Sequence, residues 1–346
     1  MEKLSHSQIV SGPDDRSVDQ ALRPARWEDY VGQELVKKNL RVIVDAAKQR
    51  GEAMDHILFH GQPGLGKTTL AHLVAHEMNS VLKATSGPAL EKVGDLVATL
   101  SNLEAGETLF IDEIHRLNRT IEEVLYPAME NRKLHLIVGK GPGARILSLD
   151  LPPFTLLAAT TRADLLSSPL RARFGATFHL SYYESEDIER ILRRSAELLS
   201  IGIAPEAIPL LAAASRATPR IANRLLRRAR DVAQVSHPSA RAKRTEITAA
   251  IARETLSLLG IDTLGLEQAD RRLLDIVIGK FAGGPVGIAS LAAALNEERG
   301  VIEEVYEPYL LRVGMIRRTS AGRVASDAAY EHLGVPVPSG RTGGLL

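Results

Sequence analysis

Residues 56–68 read HILFHGQPGLGKT. The first five form a short apolar strand. The last eight fit G-x-x-x-x-G-K-[ST], with a strand before them and a helix, Thr68 to Met78, opening behind. Gly61, Gly64 and Gly66 permit a tight loop whose backbone N–H groups face phosphate oxygens. Lys67 then reaches the β- and γ-phosphates of ATP, and the Thr68 hydroxyl is placed to ligate Mg2+.

Two further apolar strands strengthen this reading. LFIDEIH (109–115) ends in adjacent carboxylates, which puts Asp112 near the Mg2+, through water, and leaves Glu113 to polarise an attacking water. A switch that only binds nucleotide has no use for Glu113, so hydrolysis is expected. FTLLAATTR (154–162) ends in polar residues at the same level, and ligands of parallel α/β sheets sit at the carboxyl ends of strands. Thr160 or Thr161 can hydrogen-bond the water or the γ-phosphate there, and Thr161 is the candidate.

Composition narrows the classes. The 346 residues carry 43 basic and 42 acidic side chains, a net charge of +1, so the overall balance names no partner. With no cysteine, disulfides, thiolate catalysis and Cys-ligated zinc are excluded. No apolar run approaches the roughly 20 residues of a membrane span, and MEKLSHSQIV lacks the pattern of a secretory signal, so a cytoplasmic protein free of membrane is expected.

Along the chain, residues 1–19 read as a mobile tail. A helix with apolar positions Leu35, Leu40, Ile43, Val44 and Ala47 follows. Strands alternate with helices up to 183, the pattern of a parallel α/β sheet. Between its second and third strands, 132–151 alternates apolar and polar residues around GKGPGA and reads as a hairpin. Residues 184–256 read as a small helical domain. Three helices and a hairpin over 257–334 match a winged helix, and 335–346 is a Pro/Gly-rich tail.

GQPGLGKTTLA, TSGPALEK, LFIDEIHRLN, EEVLYPAME, DLPPFTLLAATTRA, SSPLRARFG, TPRIANRLLRR and GGPVGIASLAAAL together resemble the AAA+ ATPases, and within them the motors of Holliday-junction branch migration. The resemblance runs from about 21 to 334. It implies a P-loop sheet domain, a helical lid and a C-terminal winged helix, assembled as a hexameric ring with each active site between neighbours. Arg173 in SSPLRARFG then matches a finger that serves the nucleotide next door, with Arg171 its companion. Supplied in trans, it would make hydrolysis conditional on assembly. Arg220 matches a γ-phosphate sensor on the lid, with Pro219 before it. Arg23, Tyr30 and Tyr183 match positions around the adenosine, and Leu22 and Thr69 complete the expected ATP contacts.

The same resemblance implies partners: duplex and Holliday-junction DNA, RuvA docked on the 132–151 hairpin, and RuvC in a resolvase complex. Ile137, Val138, Ile146 and Leu147 are the candidate contacts for RuvA. The third helix of a winged helix usually enters the major groove, but here it carries Glu303, Glu304 and Glu307, which repel phosphates. The wing is therefore expected to bind DNA through Arg318 and Arg323, with Arg299 just before the helix. Ala217 stands where the family usually has glycine, which stiffens the start of the lid. A clamp-loader or initiator-like switch shares the nucleotide motifs. It lacks this hairpin and winged helix in this arrangement.

Overall fold

A computed structural model describes residues 21–138, 145–236 and 246–338. The expected N-terminal tail, the GKGPGA turn and residues 339–346 lie outside the described residues. The chain divides into two compact units, Met1–Ser200 with Ala217–Asn223, and Ile201–Arg216 with Arg224–Leu346.

The first unit is built on a five-stranded parallel sheet in the order β2-β3-β6-β1-β7. Its strands are β1 (Ile57–His60), β2 (Leu82–Ser86), β3 (Thr108–Asp112), β6 (Thr155–Thr160) and β7 (Ala176–His179). The three apolar runs legible in the sequence are β1, β3 and β6, and every residue of β6 is buried. β2 (LKATS) and β7 (ATFH) form the two edges. Their registers, Leu82 opposite Thr108 and Ile57 opposite Ala176, bring all five carboxyl ends to one side.

Helices close over the sheet by burying one stripe each. The helix Arg119–Asn131 starts at Asn118, whose side chain accepts the Ile121 N–H, and turns Ile121, Leu125, Ala128 and Met129 inward. The helix Glu34–Arg50 buries Val36, Leu40, Val44 and Ala47. This corrects the expected stripe, because Leu35 is 75% exposed and Val36 takes its place inside.

β4 (Lys133–Val138) and β5 (Arg145–Asp150) pair antiparallel as a separate ribbon, Leu136 opposite Leu147 and Ile137 opposite Ile146.

In the second unit, the helices Ala207–Ala213 and Ala249–Leu258 are joined by a two-residue parallel pair, β8 (Gly202–Ile203) with β9 (Glu246–Ile247), where helices alone were expected. The winged helix follows. Its first helix, Gln268–Asp275, runs on into a π-helical turn, Ile276–Lys280, and its third passes from Arg299–Val301 through the π-helical turn Ile302–Tyr306 into Glu307–Arg312. β10 (Ile316–Thr319) and β11 (Gly322–Ala325) form the wing. A further helix, Asp327–Leu333, adds Ala329 and Tyr330 to a core of Leu273, Leu291, Ile302 and Leu310. Inside this unit Arg216 meets the fully buried Asp270 at 3.2 Å and stacks 4.4 Å over the Tyr309 ring.

Candidate functional site

The phosphate loop takes its shape from backbone that only glycine adopts without strain. Gly61, Gly64 and Gly66 have φ of 148°, 80° and 99°. Each is also hemmed in, since a Cβ on Gly64 would lie 2.7 Å from Thr218 and one on Gly66 2.7 Å from the Tyr30 hydroxyl. The Tyr183 hydroxyl stands 3.1 Å from that of Tyr30 and 3.3 Å from the Leu65 carbonyl, so two buried phenols brace the loop. Burial raises both phenols, Tyr183 to about 12, and keeps them neutral.

Lys67 is buried at the start of its helix and donates to the Gly61 and Gln62 carbonyls at 2.7 and 3.0 Å. Burial lowers its ammonium to about 8, against the pull of Glu113 and Asp112. Asp112 is raised, first by burial and then by Glu113. The Thr68 hydroxyl lies 3.5 Å from Asp112 Oδ2, a pair of hard oxygens that fits Mg2+.

Glu113 has φ of 49°, a left-handed conformation that is costly for a side chain with a Cβ. Packing holds it there: the Glu113 carbonyl abuts Gly87, where any Cβ would collide with it. This is the physical role of the glycine in TSGPALEK. The Glu113 carboxylate accepts the Thr161 N–H at 3.3 Å and the Thr161 hydroxyl at 3.0 Å, and His115 Nδ1 lies 3.2 Å away. The strand end of β6 thus grips the carboxylate at the end of β3.

The pocket above the loop is lined by Leu22, Arg23, Tyr30 and Tyr183 on one side, and by Gly64, Gly66, Lys67, Thr68 and Thr69 beneath. Asp112, Glu113, Pro219 and Arg220 line it too. Sequence reading missed Ile191, Arg194, Ser195 and Asn223, which also line it. Arg194 donates to the Leu22 carbonyl at 2.9 Å, and Ser195 to Asn223 at 2.8 Å. The spacing of Ile191, Arg194 and Ser195, three and four apart along one helix, was the available signal.

Arg173 is not among the lining residues. It donates to the Pro169 carbonyl at 2.6 Å, pairs with Glu130 at 3.0 Å and lies 4.2 Å over the Tyr126 ring. Arg171 donates to the Ala163 carbonyl at 2.7 Å.

On the hairpin, Ile146 and Leu147 are 74% and 48% exposed. Ile137 and Val138 lie on β4, and their side chains fall outside the described residues.

In the wing, Arg317 and Arg318 are exposed, as is Arg299 at the start of the third helix. Arg323 differs from the expected surface cation. Only 9% exposed, it is paired with Glu307 at 2.9 Å and Glu303 at 3.3 Å.

Comparison with known proteins adds three family matches: the Holliday junction DNA helicase RuvB P-loop domain over residues 22–180, the RuvB AAA lid domain over 183–262, and the RuvB C-terminal winged helix domain over 263–334. The chain is 55% identical over 328 residues to the Holliday junction branch migration complex subunit RuvB of Chloroflexus aggregans, covering 95% of this chain and 92% of that one. The same subunit of Chloroflexus aurantiacus is 54% identical over equal shares. Among solved structures, the RuvB Holliday junction branch migration motor of Thermotoga maritima superposes with a TM-score of 0.83 at 45% identity, over 92% of this chain and all of the other. No helix among the described residues is long and apolar enough to cross a membrane.

Proposed function

The chain belongs to the RuvB family, and we infer that it hydrolyses ATP to drive duplex DNA through a hexameric ring, moving Holliday junctions in recombination and repair. Residues 20–183 act as the motor domain, 184–256 as its lid and 257–334 as the DNA-binding head. Lys67 and the loop N–H groups bind the phosphates of ATP, and Arg220 contacts the γ-phosphate from the lid. Thr68, and Asp112 through water, would hold Mg2+, which would supply positive charge opposite the transferring group. Glu113 and Thr161 orient the attacking water. RuvA docks on the exposed hairpin through Ile146 and Leu147, with Ile137 and Val138 beside them on the partner strand. RuvC joins in a resolvase complex.

One observation carries the reading most directly. Arg173, the candidate finger, rests on Glu130 and Tyr126 rather than lining its own pocket. A cation held there serves the nucleotide of an adjoining copy. Arg173→Ala and Glu113→Gln each leave ATP bound and stop turnover. Mixed together, they regain part of the activity, because some interfaces pair an intact pocket with an intact finger. A mixture that stays inactive while both variants assemble refutes the shared site. The motor itself is tested by migration of a four-way junction, with and without RuvA.

A further inference from the structure

The two wing arginines expected to hold DNA stand directly opposite each other, Arg318 against Arg323 on β10 and β11. Like charges so placed repel. The structure resolves the conflict with one carboxylate. Glu307, 1% exposed at the start of the helix Glu307–Arg312, accepts Nε and Nη2 of Arg323 at 3.1 and 2.9 Å, a two-pronged pair. The same carboxylate accepts Nε of Arg318 at 2.9 Å. Glu303, one helical turn earlier, takes Arg323 Nη2 at 3.3 Å.

The backbone is pinned as well. Arg323 N–H donates to the Val286 carbonyl at 2.8 Å, and Val286 N–H to the Arg323 carbonyl at 2.9 Å. Gly322, with φ of 138°, leaves no room for a Cβ against that Val286 carbonyl.

The two guanidinium groups meet different fates. The Arg323 side chain is 10% exposed, whereas that of Arg318 is 56% exposed. Among the described residues, Arg318 engages the protein only through Nε, which leaves its two terminal nitrogens toward solvent.

We propose that Glu307 is the positioning residue of the wing: it withdraws Arg323 from the surface as an internal strut and orients Arg318 so that its terminal nitrogens meet a DNA phosphate. The assignment rests on the reading of this domain as a DNA-binding head, and it separates two arginines that the sequence treats alike. It also gives the acidic third helix a purpose. Glu303 and Glu307 are directed at the wing rather than at a groove.

The test is binding of the full chain to a random-sequence duplex across a salt series, with thermal melting of each variant. Arg318→Ala loses about 0.9 unit of the slope of log K against log salt, the share of one phosphate contact, and keeps its melting temperature. Arg323→Ala melts lower but, below that melting point, keeps the wild-type slope. Arg323→Lys guards against loss of folding. It retains the charge without the fork, so it melts lower with an unchanged slope. Glu307→Gln binds roughly threefold to tenfold more weakly at fixed salt, the net worth of one ordinary hydrogen bond, although it removes a negative charge near a polyanion.

Tighter binding by Glu307→Gln overturns the assignment. So does an Arg323→Ala variant that loses a unit of slope at an unchanged melting temperature. A wild-type chain that binds no duplex even at low salt defeats the motor reading and this assignment with it. The other two results defeat only the assignment.

Discussion

The nucleotide pocket and the wing both gather charge, and they do opposite things with it. In the pocket, Lys67, the adjacent Asp112 and Glu113, and Arg220 come from three elements and line a common space. Lys67 meets carbonyls and Asp112 meets a hydroxyl, so their charges are only partly answered within the chain. In the wing, Arg323 is answered almost completely by Glu307 and Glu303. Charge that performs chemistry is left directed at a cavity. Charge that holds a fold is buried against its partner. The pocket accepts the cost of unanswered charge as shifted ionisation, visible in the lowered Lys67 and the raised Asp112.

That contrast can be broken experimentally. The largest effect belongs to the proposed finger. Arg173→Ala lowers turnover by roughly 10³–10⁵-fold with little change in melting temperature, measured by steady-state ATP hydrolysis. A variant that melts much earlier would place Arg173 with the structural arginines. Next is Arg323→Ala, which leaves the buried Glu307 with Arg318 alone and destabilises the winged helix by about 3–5 kcal/mol in denaturant titration. Its basal ATP hydrolysis at low temperature is unchanged. A loss of turnover without destabilisation would erase the distinction between the two regions.

A smaller effect follows from the Glu307 carboxyl. Burial raises it, but the hydrogen bonds and charges of Arg318 and Arg323 outweigh burial and hold it below 4.5. Because the folded value is depressed, its stabilisation is present above that pH and fades as pH falls through the folded value. Melts between about pH 7 and about pH 3 therefore decline more steeply in the wild type than in Glu307→Gln. Equal acid limbs would remove Glu307 from the wing's electrostatics.

The smallest effect is at the lid. Arg216 and Ala217 have φ of 56° and 54°, two consecutive left-handed residues with side chains. Ala217→Gly relieves that strain and loses part of the gain to chain entropy, leaving a stabilisation of roughly 0.5–1 kcal/mol in denaturant titration. A loss of stability would show that the Ala217 methyl is packed rather than strained.

The contrast also explains what could be read beforehand. The loop 61–68 and the carboxylates at 112–113 were legible because each works through contiguous residues whose spacing is the mechanism. β1, β3 and β6 were legible as apolar runs. β2 and β7 were not, because they are short edge strands: β2 has no buried residue, and β7 alternates half-buried with exposed ones. The Leu35 stripe failed because an isolated helical pattern tolerates a shift of one residue, and only packing against the sheet selected Val36. Arg194 and Ser195 were missed because a pocket wall made by one helix face resembles any solvated face until its neighbours are known.

Sequence by itself determined the chemistry of this protein: a phosphate loop, a carboxylate pair and a winged helix, each encoded in local spacing. Tertiary structure alone decided the strand order, the bracing of the loop by Tyr30 and Tyr183, the parking of Arg173 on Glu130, and the burial of Arg323. The reason is physical. Local motifs depend on backbone geometry over a few residues, whereas whether a charge faces solvent or a partner depends on which distant segment folds against it.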